Sequence, residues 1–346
     1  MLFSLSPFII LSASIIITRT LIALSSRNWI FLWAAIELNL LRFIPILINS
    51  KKFQETEAAV KYFLAQALGS RILLIRSISL WFNLTTPNNL MFLLLFCALI
   101  LKIGMVPCHL WYPSVIASAS WISCLILSTW QKLAPLSILA FIYNTNWLIV
   151  AITARINALI GGVIGINQVN LRSIIAYSSI THIGWITSLL AIYKPLLTLL
   201  YFALYCIIIT PIFILFHLKS MNQRININKI ILTSPQLKFI LPILILSLGG
   251  IPPLTGFIPK WLTIYSMGPI IPIITIILIS GAIINTYYYL NIIFNFSLAS
   301  TSQKNRLISI SITKKDITSI LSIMSLTLFP IRFIIIYKRL PKAPIC

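Results

Sequence analysis

Residues 247–261 read SLGGIPPLTGFIPKW, and they interrupt an apolar run that is otherwise long enough to be a helix. Gly249, Gly250, Gly256, Pro252, Pro253, Pro259 and one charge, Lys260, fall within these few positions. In a helix interior glycine costs about 1 kcal/mol and proline about 3 kcal/mol relative to alanine, because one adds backbone freedom and the other lacks an N–H and clashes with the preceding turn. A break beside a lysine has two readings. Either the freed backbone and the ammonium share a hydrated pocket, or the helix simply ends and Lys260 reaches an interface along its aliphatic stem. The stretch alone leaves both open.

Its surroundings fix the solvent. The 346-residue chain is 59% hydrophobic and 9% charged, with a mean hydropathy of +1.02. So much apolar side chain cannot face water, so an integral membrane protein is expected. A bilayer core about 30 Å thick asks for about 20 apolar residues per helix, and such runs follow one another almost end to end. Eleven spans are expected, near 3–24, 27–48, 59–81, 90–106, 115–142, 147–168, 173–192, 195–217, 237–258, 269–295 and 317–337. The alternating polarity of a membrane β-barrel is absent. The fold class is therefore all-α, a polytopic bundle forming a single membrane domain over residues 1–346. The first run lacks a basic n-region and a small-residue cleavage site, which reads as a retained helix rather than a signal peptide.

The formal charge of +22 raises the question of nucleic acid, and its distribution answers it. With alternate loops on opposite sides, one side collects Lys51, Lys52, Arg172, Lys219, Arg224, Lys229, Lys238, Lys304, Arg306, Lys314 and Lys315. The other holds Arg27, Lys194, Lys338, Arg339 and Lys342. The positive-inside rule then places the N-terminus inside and the C-terminus outside, and anionic lipid headgroups suit the basic face better than nucleic acid. The five cysteines form no CxxC pair and read as small packing residues. His109, His182 and His217 have no metal-binding spacing, and no GxGxxG, P-loop or GxSxG pattern stands out, so neither a metal nor a cofactor is expected.

Charges at membrane depth carry the chemistry. Of four acids, Glu55, Glu57 and Asp316 fall near span ends, whereas Glu37 sits mid-span in NWIFLWAAIELNLLRFIPIL. An ionised group there costs several kcal/mol unless it is paired or meets a water-filled cavity. Lys102 in LILKIGMVPCHLWYP, Lys132 in LSTWQKLAPLSIL and Lys260 pose the same problem, each close to a proline. Transporters place ion sites at such interrupted helices, and lysine suits proton handling because its charge state responds to burial and to a nearby carboxylate. The bland alternative is a set of fixed charges fastening helices together. Around these residues, Ser128 and Gln131 accompany Lys132, His109 follows Lys102, and SIIAYSSITHIGW sets Ser178 and His182 four apart as a possible relay. His182 reads equally well as a satisfied core histidine.

Six stretches carry a resemblance. LSSRNWIFLWAAIELNLL, TEAAVKYFLAQA, LKIGMVPCHLWYPSV, LSTWQKLAPLSIL, INQVNLRSIIAYSSITHIGW and LSLGGIPPLTGFIPKW resemble the NADH dehydrogenase subunit 2 family, the mitochondrially encoded, antiporter-like membrane subunits of respiratory complex I. The resemblance implies eleven helices, two of them broken, here those carrying Lys102 and Lys260. It implies a proton path through positions matching Glu37, Lys102, Lys132 and Lys260, passing His109 and His182. It also implies a place in the mitochondrial inner membrane, N-terminus on the matrix side and C-terminus on the intermembrane-space side. Neighbouring antiporter-like subunits and phospholipids such as cardiolipin would be its partners. NADH, flavin, iron-sulfur clusters and ubiquinone would be bound by other subunits. A stand-alone cation/proton antiporter and a structural scaffold are the competing readings.

Two departures from the family pattern stand out. Arg172 is followed by Ser173 where a basic pair is usual, and Arg19, Arg42, Arg71, Arg76 and Arg155 lie in or beside spans that the family leaves uncharged. Arg19 and Arg76 can reach an interface along their stems, whereas Arg42, Arg71 and Arg155 cost about 2.5–3.5 kcal/mol each near a helix centre. These three suggest AGA or AGG codons that a mitochondrial code reads as serine or glycine, the alternative being arginines that face lipid phosphates or partner subunits.

Overall fold

The computed structural model describes residues 7–48, 52–82, 88–142, 147–222, 235–252 and 254–301. It is helical, with no strand among the described residues. The elements are α1 (Pro7–Ser25), α2 (Trp29–Leu47), α3 (Phe53–Trp81), α4 (Asn88–Ile103), α5 (Trp111–Ser118), α6 (Trp121–Ser128) and α7 (Trp130–Ile142). After these come α8 (Trp147–Ile166), α9 (Leu171–Leu190), α10 (Pro195–Asn222), α11 (Pro235–Gly249), α12 (Phe257–Met267) and α13 (Pro272–Thr301). Six helical stretches among the described residues are long and apolar enough to cross a membrane: α2, α3, the α6–α7 pair, α8, α10 and α13. The expected span at 317–337, with Asp316 and Cys346, lies outside the described residues.

The described chain divides into two compact units. One runs through α9 to Leu199 and includes Ile276–Gly281, and the other takes Leu200–Thr275 and resumes at Ala282. In the first unit α9 is the core helix, every residue from Ser173 to Leu190 being buried. It packs most extensively on α8, where Gly161 and Gly184 let the backbones approach: a Cβ on Gly184 would lie 2.8 Å from the Ala154 carbonyl, and one on Gly161 2.9 Å from that of Tyr177. Without water to drive association, such small-residue contacts are how membrane helices gain packing.

The interruptions are sharper than the sequence indicates. The expected single helix at 115–142 is three pieces. Ala119 is extended, Ser120 caps α6 by accepting from the Ser123 amide, and Thr129 parts α6 from α7. Thr129 Oγ1 donates to the Leu125 carbonyl at 2.7 Å, and Pro135 in α7 cannot donate to the turn that begins there. Conversely, α3 begins at Phe53, earlier than hydropathy suggests, and an i, i+4 pair between Lys61 and Glu57 supports its polar first turns.

Candidate functional site

Lys102 occupies the last turn of α4, which ends because Gly104 takes φ +78°. A Cβ there would sit 3.0 Å from Cβ of Tyr112, so glycine meets both a backbone and a packing demand. Three of the groups the break releases are held by side chains. The Lys102 carbonyl accepts from Gln66 Nε2 of α3 at 3.0 Å, the Leu101 carbonyl from Trp111 Nε1 at 3.1 Å, and the Val106 amide donates to Asn157 Oδ1 of α8 at 2.8 Å. At membrane depth those polar groups have no water to fall back on, so three side chains from three helices hold the break open. The lysine itself is 4% exposed, and its Nζ is buried without a hydrogen bond.

Glu37 lies half-buried on α2, and its Oε2 is likewise buried without a hydrogen-bond partner. It lines a pocket of about 270 Å³ between α2 and α3, together with Trp33, Ser70 and Arg71. Trp33 Nε1 donates to the Ser70 carbonyl at 3.0 Å and ties the two helices at that level. Glu37 acts electrostatically on both Lys102 and Tyr62. It makes no direct ion pair with Lys102, since Lys61–Glu57 is the one salt bridge among the described residues. The carboxylate and the α4 lysine are thus neighbours through space rather than a locked pair.

Lys132 is 2% exposed, on the first turn of α7. Its ammonium donates to the Tyr112 hydroxyl at 2.9 Å and to Ser179 Oγ at 3.3 Å, and sits 4.0 Å from the centre of the Tyr112 ring. The residue beside it, Gln131, exchanges amide hydrogen bonds with Asn39 of α2 at 3.1 and 3.4 Å, joining the glutamate-bearing and lysine-bearing helices. The expected companions behave differently: Ser128 donates to the Leu125 carbonyl at 3.0 Å and Ser178 to that of Ile175 at 2.8 Å, each within its own helix. His182 is buried on α9. His109 is 6% exposed, with Nδ1 3.3 Å from the Pro107 carbonyl.

Lys260 lies in the second unit, in the first turn of α12. Gly250, at φ +74°, ends α11, and the Lys260 chain folds over it so that Nζ donates to the Gly249 carbonyl at 2.6 Å. Lys260 is 6% exposed, so the ammonium turns into the break and does not extend to an interface. Pro253 lies outside the described residues.

Tyr112, Ser179, Asn157 and Gln66 escaped the sequence reading. Asn157 carried a usable signal, an amide inside the apolar span ARINALIGG. The arginines gain no acid here. Arg76 Nε and Arg155 Nε are buried without hydrogen bonds, and none of Arg19, Arg42, Arg71, Arg76 or Arg155 is in a salt bridge. Arg172 is accounted for: its guanidinium donates to the Ala117 and Ala119 carbonyls at 3.3 and 2.8 Å and covers the Trp121 ring, closing the C-terminal end of α5. One cation suffices for that task.

Interrupted apolar helices that turn lysines inward define a polytopic membrane protein of antiporter-like architecture. The family model for the NADH:quinone oxidoreductase/Mrp antiporter transmembrane region matches residues 26–285. NADH-ubiquinone oxidoreductase chain 2 of Lumbricus terrestris is 54% identical over 293 residues, covering 84% of this chain and 87% of that protein. The chain belongs to the NADH-ubiquinone oxidoreductase chain 2 family. Its fold is also that of a chain in respiratory complex I from Thermus thermophilus with bound aureothin (TM-score 0.77, 20% identity, 94% of this chain and 78% of that one). A chain in the Mrp complex from a Dietzia species is similar as well (TM-score 0.72, 18% identity, 87% and 61%).

Proposed function

We propose that this chain is a proton-translocating membrane subunit of respiratory complex I, in which Glu37, Lys102, Lys132 and Lys260 carry protons across the bilayer while other subunits transfer electrons from NADH to ubiquinone. The observation that carries this reading is that all three lysines are buried, at 2–6% exposure, within one turn or so of a helix break. Charges so placed are costly as mere fasteners, and broken helices supply the polar backbone a translocated ion needs. Glu37 within electrostatic reach of Lys102 but out of contact suits a pairing that changes during turnover. His109 and His182 are the candidate relays that accompany this set, with Ser128 and Ser178 as weaker candidates.

The complex provides the setting. On this reading the chain resides in the mitochondrial inner membrane with its N-terminus facing the matrix, beside further antiporter-like subunits and phospholipids such as cardiolipin. Flavin, iron-sulfur clusters and quinone stay on other subunits. The identity with NADH-ubiquinone oxidoreductase chain 2 favours this over a stand-alone antiporter. Replacing Lys260 by Met or Glu37 by Gln in the assembled complex separates pump from scaffold. Proton translocation will be lost with assembly retained if the residues carry protons, and unchanged pumping in the assembled variants refutes the reading.

A further inference from the structure

Three hydroxyl and amine groups from three different helices meet at one buried point, and only one of them, the Lys132 amine, belongs to the proposed set of proton carriers. Tyr112 of α5 is fully buried, Ser179 of α9 is fully buried, and Lys132 of α7 lies between them. The phenol oxygen is 2.9 Å from Lys132 Nζ and 2.8 Å from Ser179 Oγ, and Nζ to Ser179 Oγ closes the triangle at 3.3 Å. Tyr112 also stands against Gly104, so it joins the break that follows Lys102 to the lysine on α7.

Packing alone would not ask for this arrangement. A phenylalanine would fill the same volume and keep the cation–ring contact. The phenol adds an oxygen that can both accept and donate. Toward a protonated Lys132 it accepts an N–H, and toward a neutral amine it can donate its own O–H into the nitrogen lone pair. Ser179 has the matching ambiguity: its single proton has two acceptors in reach, the Ala176 carbonyl at 2.7 Å and the Tyr112 oxygen at 2.8 Å. A carbonyl in either place could accept only.

We propose that the Tyr112 hydroxyl, backed by Ser179, is the group through which Lys132 gains and loses its proton. The inference rests on the reading of Lys132 as a translocating residue. As the amine is protonated, the phenol O–H bond breaks and its proton forms an N–H bond on Nζ. The phenol oxygen takes a replacement from the Ser179 hydroxyl, which turns from the Ala176 carbonyl, and Ser179 Oγ is reprotonated by water carrying the entering proton. Both hydroxyls end as they began, and one proton has moved onto Lys132.

The test uses the intact complex in sealed vesicles, with assembly read by native electrophoresis and proton translocation expressed per assembled complex. A positioned relay group contributes about 10²- to 10⁴-fold to a proton transfer, so Tyr112→Phe is expected to slow translocation per assembled complex at least about tenfold, over and above any fall in assembly or heat-inactivation midpoint from its lost hydrogen bonds. Lys132→Met should cause a loss of the same size, and the double variant should fall no further, because both remove one step. Ser179→Ala should give a smaller loss in the same direction. If Lys132→Met pumps normally, the underlying reading of Lys132 is wrong. If Lys132→Met fails but Tyr112→Phe pumps normally per assembled complex, or the double variant multiplies the two losses, Tyr112 is a packing residue and the relay is overturned.

Discussion

Gly249 and Gly250 are adjacent, both at the end of α11, and alanine should be tolerated at the first and disruptive at the second. A Cβ on Gly250 would lie 2.8 Å from Lys260 Cδ and 3.0 Å from the Gly256 carbonyl, at a residue already in the left-handed region at φ +74°. That conformation costs alanine about 1–2 kcal/mol. Relieving the overlap means pushing the lysine chain aside and giving up the ammonium bond to the Gly249 carbonyl, a charge-assisted contact of about 1.5–3 kcal/mol. Together these give a penalty of about 2.5–5 kcal/mol. At Gly249 a Cβ finds its nearest neighbour at 3.4 Å, an ordinary contact, and the residue is helical, so alanine gains up to about 1 kcal/mol of propensity. Heat-inactivation midpoints and proton translocation of the assembled complex would separate them. Gly250→Ala is expected to be lowered in both and Gly249→Ala to match the parent. Equal behaviour of the two would show that Lys260 does not depend on folding over Gly250.

Other perturbations follow from the same contacts. Asn157→Leu removes the acceptor of the Val106 amide, leaving a buried N–H that costs about 1–3 kcal/mol. Lower assembly and proteolytic sensitivity near residue 106 are expected, and an unchanged digestion pattern would count against a role for Asn157 in holding the break. Gly184→Ala drives a methyl to 2.8 Å from the Ala154 carbonyl, so α8 and α9 must part and assembly should drop in native electrophoresis, whereas Gly268→Ala, whose Cβ would meet only one carbonyl at 3.0 Å, should be milder. Peptide masses across Arg42, Arg71 and Arg155 are expected to match serine or glycine at those positions, since each lies within an apolar helix and none is in a salt bridge. Arginine masses there would settle the matter the other way.

Charge at membrane depth was the most legible signal, because an ionised side chain in an apolar span is expensive enough to need a local reason. Glu37, Lys102, Lys132 and Lys260 could therefore be picked out before any contact was known, the break at Gly250 was announced by its Gly–Pro cluster, and the one after Lys102 by a nearby proline, Pro107. Hydroxyls were a poor guide for a physical reason. Within a helix Ser and Thr can satisfy themselves on the carbonyl three or four residues back, as Ser128 and Ser178 do, so a polar letter in a span need not face a path. Tyr112 was hidden for the opposite reason. It reads as one more apolar aromatic after HLW, and only the meeting of α5, α7 and α9 gives its oxygen a partner. The divisions at Ala119–Ser120 and Thr129 were equally invisible, since their residues are permissive in helices and tertiary packing chose against them.

The three lysines differ in what their partners allow, and this gives an order to the proposed path. A carbonyl only accepts, so the Gly249 oxygen holds Lys260 as a donor and offers nothing to the lone pair of a neutral amine. Paired hydroxyls can present either a lone pair or a proton, so the Tyr112–Ser179 site accommodates Lys132 in both states. Lys102 has no hydrogen-bond partner, so burial and, after it, the field of the Glu37 carboxylate act on its charge. Of the three, Lys132 has a hydrogen-bond partner for its nitrogen in both protonation states, while Lys102 follows the carboxylate and Lys260 keeps an N–H on its carbonyl in either state but finds no donor there for its lone pair. Glu37→Gln should accordingly disturb Lys102 before the others. An amine-reactive probe that enters the assembled complex should label Lys102 faster in that variant, and labelling that rises equally at Lys132 and Lys260 would refute the ordering.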